Sequence, residues 1–247
     1  MSRERLLEHR RLWRAKPVLA RVYEPWFRAL VAAAPARARV LEVGAGPGFL
    51  AEAARAARPD LRWLASDLHA VPWNTLAADA GRLPLVSGSV QAVVGLDVLH
   101  HLPDPAAFFA EAARVLAPGG RLCLVEPWIT PLSWLVYRFF HVEDCRLSID
   151  PWRPFPQALK DSFDGDAAVP WRLVRDTPAG RWRELGLLAP RARLVNGFAY
   201  LLSLGFRPRS LLPVAAARAV MSLDRLARPL SPLVALRARI DWEKATA

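Results

Sequence analysis

At 247 residues the chain is long enough to bury a full core and to form one large domain or two small ones. Apolar residues make up 53% and charged residues 23%, a balance that excludes a disordered chain. The net charge of +11 is spread through every segment, mostly as arginine, so it favours anionic partners in general while excluding a concentrated basic tail. An alanine-, arginine- and proline-rich, lysine-poor composition is also what GC-rich coding produces. Cys123 and Cys145 form no Cys-x-x-Cys pair, which points to no disulfide framework and no zinc site. The segment from Met1 to Lys16 is charged throughout, unlike a secretion signal, so a cytoplasmic location is expected. The most apolar stretch, Trp128 to Phe140, falls short of the roughly 20 residues that a membrane helix needs.

In chain order, Leu6 to Ala34 reads as one or two amphipathic helices, with Leu12, Trp13, Val18, Leu19, Val22, Trp26, Phe27 and Leu30 near helical spacing. Residues 1–38 are expected to be a helical lid or brace. From Arg39 short apolar runs alternate with alanine-rich stretches, the pattern of a parallel sheet with crossover helices. Strands are expected at Val40–Val43, Arg62–Ser66, Asn74–Ala77, Ala92–Leu96 and Arg121–Val125. A helix should follow Asp104, whose side chain can cap free backbone N–H groups while Pro105 presets the first turn, and it should end at Pro118-Gly119-Gly120. Between residues 127 and 190 the periodicity breaks down amid prolines at 151, 154, 156, 170 and 178 and tryptophans at 128, 134, 152, 171 and 182, which suggests an inserted cap. Residues 191–247 then offer a strand at Ala192–Val195, helices through Leu204 and over Val214–Leu226, and a strand at Ala235–Trp242.

The most informative segment is Val40-Leu41-Glu42-Val43-Gly44-Ala45-Gly46-Pro47-Gly48-Phe49-Leu50, a buried strand running through a glycine turn into a helix. Gly44 and Gly46 let a ligand lie against the backbone, and the helix after Gly48 presents unpaired N–H groups. Phe49 breaks the dinucleotide pattern Gly-x-Gly-x-x-Gly, and no Gly-Lys-Ser/Thr follows, so neither a dinucleotide fingerprint nor a phosphate-binding P-loop is present. Glu42 suits a ligand bearing ammonium and sulfonium groups better than a pyrophosphate.

From this turn onward the chain resembles the class I S-adenosylmethionine-dependent methyltransferases, in particular the small-molecule, type 11-like branch. Further matches arrive in family order: Asp67 in Leu64-Ala65-Ser66-Asp67, Asp79 in Ala78-Asp79-Ala80-Gly81-Arg82-Leu83-Pro84, then Val93 to Leu102, then Arg114 to Gly120. The close resemblance covers Arg39 to Glu126, about half of the chain, and departs at Gln91, where the family usually carries Asp. It implies an α/β Rossmann-like, doubly wound, mostly parallel seven-stranded sheet, with the inserted cap after strand five and 39–126 as the cofactor-binding core. It also implies S-adenosyl-L-methionine as cofactor, contacted by Glu42, Gly44, Gly46, Gly48, Asp67 at the ribose hydroxyls, Asp79 at the adenine amino group, Ala80 and Leu96.

Such a reaction is in-line attack by an acceptor lone pair on the sulfonium methyl, so catalysis comes mainly from alignment, with a base needed only where the acceptor must lose a proton. His100 and His101 follow strand four, where open α/β sheets bind ligands, and are the candidate catalytic residues. Tyr137, His141 and Cys145 are weaker candidates, Tyr23 on the N-terminal helices reads as a core aromatic or a residue that closes over the cofactor, and no His or carboxylate spacing suggests a metal site. Trp134-Leu135-Val136-Tyr137-Arg138-Phe139-Phe140 suits a hydrophobic small-molecule acceptor, lipid-, quinone- or polyketide-like, and peripheral contact with an anionic membrane. The alternatives are an RNA methyltransferase, for which no recognisable RNA-binding module is present, and a non-catalytic cofactor-binding partner protein.

Overall fold

The computed structural model describes residues 2–141, 143–154 and 164–246. The middle of the expected cap, residues 155–163, lies outside the described residues. Two helices open the chain, α1 (Ser2–Ala15) and α2 (Val18–Val31). Helix α2 turns Val18, Leu19, Val22, Trp26, Phe27 and Leu30 into the core, which is why the apolar spacing was legible there. Helix α1 is mostly exposed, but its Arg10 donates to the Pro47 carbonyl at 2.5 Å and to Glu52 at 2.7 Å, tying the helix to the glycine turn.

Among the described residues seven strands form one sheet: β1 (Arg39–Val43), β2 (Arg62–Asp67), β3 (Leu76–Ala77), β4 (Val90–Leu96), β5 (Leu116–Pro127), β6 (Arg191–Val195) and β7 (Arg237–Glu243). Their order is β3-β2-β1-β4-β5-β7-β6; the first five are parallel, and β7 runs antiparallel between β5 and β6. Strands β1 and β4 read as continuous apolar runs because helices cover both faces of the sheet. The sheet is the Rossmann-like one expected, and its order reverses between β1 and β4, the place where such folds bind ligands.

One face carries α2 and α3 (Phe49–Ala57), together with α8 (Phe198–Ser203) and α9 (Ala217–Leu226). The other carries α4 (Pro105–Val115), α6 (Val169–Asp176) and α7 (Ala179–Glu184), where Phe108, Phe109, Leu173, Trp182 and Trp242 are fully buried. Part of the tryptophan-rich stretch is therefore core: the Trp182 and Phe109 rings meet edge to face at 4.9 Å. Helix α5 (Pro131–Phe139) is closed at its start by a capping box of Thr130 and Ser133.

Asp104 caps α4 as expected, accepting the Ala107 N–H at 3.0 Å. The helix stops at Val115, three residues before Pro118, because Leu116 already pairs with Val90 and Pro118-Gly119-Gly120 falls in an irregular, bulged opening of β5. Strand β3 is only two residues long rather than four. Gln91, the departure from the family pattern, accepts the Arg39 N–H at 2.8 Å and so joins the start of β1 to β4.

Candidate active site

A cavity of about 550 Å³ opens beyond the carboxyl ends of β1, β2 and β4, a size suited to a small-molecule ligand. Its walls bring together Glu42, Gly44, Gly46, Asp67, Asp79, Ala80, Leu96, His100 and His101. Of the expected cofactor residues, Gly48 is the one that does not reach the wall.

The corner is shaped by backbone constraints. Gly44 has φ +63°, and a Cβ there would lie 2.4 Å from a Val98 methyl, so any side chain would push β1 away from the loop after β4. Gly48 has φ +82° at the start of α3, and a Cβ would meet the Trp73 ring at 2.6 Å. Its task is to turn the chain and seat Trp73, whose indole N–H donates to the Gly46 carbonyl at 2.8 Å. The Asp67 carboxylate sits at the tip of β2, accepting the Gly46 N–H at 2.8 Å and the His69 N–H at 3.0 Å. Asp79 accepts the Gly81 N–H at 2.8 Å, which fixes the following turn against the cavity.

Glu42 is 3% exposed and accepts the Trp63 indole N–H at 2.6 Å. Burial pushes its carboxyl up to about 8, against the opposing pull of that hydrogen bond. A raised acid binds its proton more tightly in the folded than in the unfolded chain, so between the usual value of 4.5 and about 8 the native state loses stability as pH rises. The slope is about 1.4 kcal/mol per pH unit from this group. Glu42→Gln should therefore gain on the wild type from pH 5 to pH 8 in urea unfolding. A stability difference that stayed constant with pH would show that Glu42 is ionised in the folded protein.

Part of the cavity wall is aromatic and histidine-rich, with Tyr23, Phe27, Tyr137, Tyr200 and Phe206 contributing to it. Arg237 of β7, 3% exposed, pairs with Asp97 and lies between the Trp26 and Tyr200 rings at 4.6 and 4.5 Å. Asp97 takes the left-handed conformation, φ +54°, unusual outside glycine. Tyr137, a weaker candidate, spends its hydroxyl on the Leu236 carbonyl, and Cys145 is absent from the cavity walls.

His100 Nδ1 lies 2.6 Å from Glu126 Oε2, and the other Glu126 oxygen accepts the N–H groups of Val98 and Leu99 at 2.9 and 2.8 Å. Glu143 stands on the opposite side, 3.2 Å from His100 Nε2 and 3.7 Å from His101 Nε2. Burial by itself lowers the His100 imidazole, but the two carboxylates outweigh it and push it up to about 10. His101 moves the other way, to about 4, through burial and the neighbouring His100 charge. Neither ring is therefore tuned near neutral pH in the free protein, where a general base works best. Glu126, Glu143, Asp97 and Arg237 were not singled out from sequence. A lone acid closing the apolar run Leu122-Cys123-Leu124-Val125 was the available signal for Glu126; the others depend on the topology.

The sheet order, the glycine corner and the cavity at the reversal point define a Rossmann-like α/β domain. Residues 30–124 match the family model described as Methyltransferase domain. Among curated proteins, the chain is 35% identical over 144 residues to the malonyl-[acyl-carrier protein] O-methyltransferase of Hahella chejuensis, covering 53% of this chain and 48% of that protein. It is 34% identical over 119 residues to the ubiquinone biosynthesis O-methyltransferase of Xanthomonas axonopodis pv. citri, covering 40% of this chain and 47% of that one. The chain thus spans about half the length of these relatives. The geranyl diphosphate C-methyltransferase of Streptomyces coelicolor, solved with Mg2+, geranyl diphosphate and S-adenosyl-L-homocysteine, shares the fold with a TM-score of 0.57 at 13% identity, over 95% of this chain and 86% of that one. Over residues 30–124 the chain is thus similar to methyltransferase domains, and its sheet is the fold of the solved methyltransferase structure.

Proposed function

We propose that the protein transfers a methyl group from S-adenosyl-L-methionine to a small, hydrophobic acceptor of lipid-, quinone- or polyketide-like character. The observation that carries this reading is one continuous cavity, polar and glycine-walled at Gly44, Gly46, Asp67 and Asp79, aromatic at Phe27, Tyr200 and Phe206. The cofactor supplies an electrophilic methyl on a positively charged sulfur. On the protein's side, the absent Cβ at Gly44 lets Val98 pack directly on the corner, Glu42 and Asp67 offer carboxyl groups to a cationic, hydroxyl-bearing ligand, and Asp79 stands at the next turn. The aromatic walls exclude water and orient the acceptor, which is where most of the rate gain of such a transfer arises.

The surface near the aromatic wall supports an apolar acceptor. Leu135, Phe139 and Phe140 are exposed on and just after α5, and Arg207 donates to the Phe140 carbonyl at 3.0 Å, placing the 205–214 segment alongside. Exposed Leu226, Leu230 and Leu233 continue the apolar character on α9 and on α10 (Ser231–Val234), which packs on α5, with exposed Arg225 and Arg228 among them. Apolar side chains set among arginines suit peripheral contact with an anionic membrane, where a lipid-like acceptor would be met. No helix among the described residues is long and apolar enough to cross a membrane.

The test is incubation with radiolabelled cofactor and separate lipid, small-molecule and RNA extracts. Label is expected in the apolar fractions. Label confined to RNA would identify an RNA methyltransferase, and tight cofactor binding with no label in any fraction would identify a non-catalytic binding protein.

A further inference from the structure

The aromatic and histidine-rich part of the cavity wall holds a group of side chains that methyl transfer by alignment does not use. His100, His101 and Glu143 each place one nitrogen or oxygen ligand atom within 4.8 Å of the other two, and all three line the cavity. We propose that they form a binding site for one divalent transition-metal ion of the zinc class, with an open coordination position turned toward the acceptor.

Three independent features of the geometry support this. Two ligands bonded at 2.0–2.1 Å to a tetrahedral ion lie roughly 3.3 Å apart. Glu143 places Oε2 3.2 Å from His100 Nε2 and Oε1 3.7 Å from His101 Nε2, separations close to that spacing for each of its two oxygens. The Glu143 oxygen nearest His100 nevertheless makes no properly directed hydrogen bond among the described residues, although it is buried. Finally, His100 Nδ1 is engaged by Glu126 at 2.6 Å, and Glu126 is itself fixed by two backbone N–H groups. With Nδ1 held by Glu126, Nε2 is the nitrogen turned toward Glu143, and an ion bound there would displace its proton, giving the carboxylate–histidine–metal arrangement that orients metal ligands and strengthens them.

The donor set selects the ion. Two imidazoles and one carboxylate suit zinc, iron, cobalt or manganese, whereas magnesium and calcium prefer oxygen throughout. Three protein ligands leave a fourth position, which faces the cavity because all three side chains line it. An acceptor hydroxyl or enol bound there would release its proton to solvent water more readily, and its oxygen would form the new bond to the methyl carbon as the carbon–sulfur bond breaks and S-adenosylhomocysteine leaves. This role for the ion rests on the methyl-transfer reading; the binding site does not.

The experiment uses the full chain, stripped with a chelator, reloaded with Zn2+ alone and desalted before elemental analysis, with affinity read by competition against a chromophoric chelator. One Zn2+ per chain is expected. His101→Ala and Glu143→Gln should lose stoichiometric binding, and Glu126→Gln should weaken it by about 10–100-fold. Co2+ substitution reads the wild-type site directly, so that the proposal does not depend on the variants folding. A visible spectrum of four- or five-coordinate cobalt is expected. No zinc uptake, a cobalt spectrum like that of the hydrated ion, or folded variants that hold zinc as tightly as the wild type would overturn the proposal. Calorimetry with S-adenosylhomocysteine on the same samples separates the two readings. Zinc bound without the nucleotide would support the metal site and sink the methyltransferase; the reverse would sink only the metal site.

Discussion

Replacing Asp97 with alanine is expected to destabilise the protein by about 3 kcal/mol or more, because it leaves a buried guanidinium without its anion. Arg237 has a 4% exposed side chain, and Asp97 is its ion-pair partner. The Trp26 and Tyr200 faces soften the loss without replacing it, since a cation over a ring contributes about 0.5–2 kcal/mol. The second variant in the argument is Asp97→Ala combined with Arg237→Met, which removes both charges and should recover much of the stability, as paired removal of buried ions commonly does. Urea unfolding of the wild type, the single and the double variant gives the three numbers. A single variant within 1 kcal/mol of the wild type would mean that water reaches Arg237 freely.

Asp67→Ala should weaken binding of S-adenosylhomocysteine by roughly 1.5–3 kcal/mol, about 10- to 150-fold, the usual range for losing hydrogen bonds to a charged group. The carboxylate also holds the Gly46 and His69 N–H groups, so the same substitution loosens the glycine corner. Calorimetry and thermal unfolding of one sample distinguish the two roles. Weaker binding with little change in melting temperature assigns Asp67 to the ligand. A lower melting temperature with unchanged affinity assigns it to the loop alone.

The glycine-walled part of the cavity was legible because its parts are local in sequence. A strand, a glycine turn and a helix follow one another from Val40 to Leu50, and Asp67 ends a strand that any apolar run would reveal. The histidine- and aromatic-walled part was not, because it is assembled across the sheet. Glu126 meets His100 only because β5 lies beside β4, and Arg237 meets Asp97 only because β7 crosses back to β5. The end of α4 was misplaced for a different reason. Pro-Gly-Gly is a strong local stop, but a cross-strand pair at Leu116 acts two residues sooner. In the tryptophan-rich stretch, composition alone could not separate a half-buried ring such as Trp171 from a core ring such as Trp182, because the difference lies in what packs on each.

The position of β7 bears on how the molecule is made. Residues 237–243 fill a slot between two strands synthesised earlier, so during translation β5 and β6 wait with open edges until this late segment leaves the ribosome. A nascent chain halted before Arg237 would lack the central lath of one half of the sheet and the cation of its inner chamber. Such fragments should be sticky and short-lived, and the stretch around residue 240 is where a premature stop would do disproportionate harm.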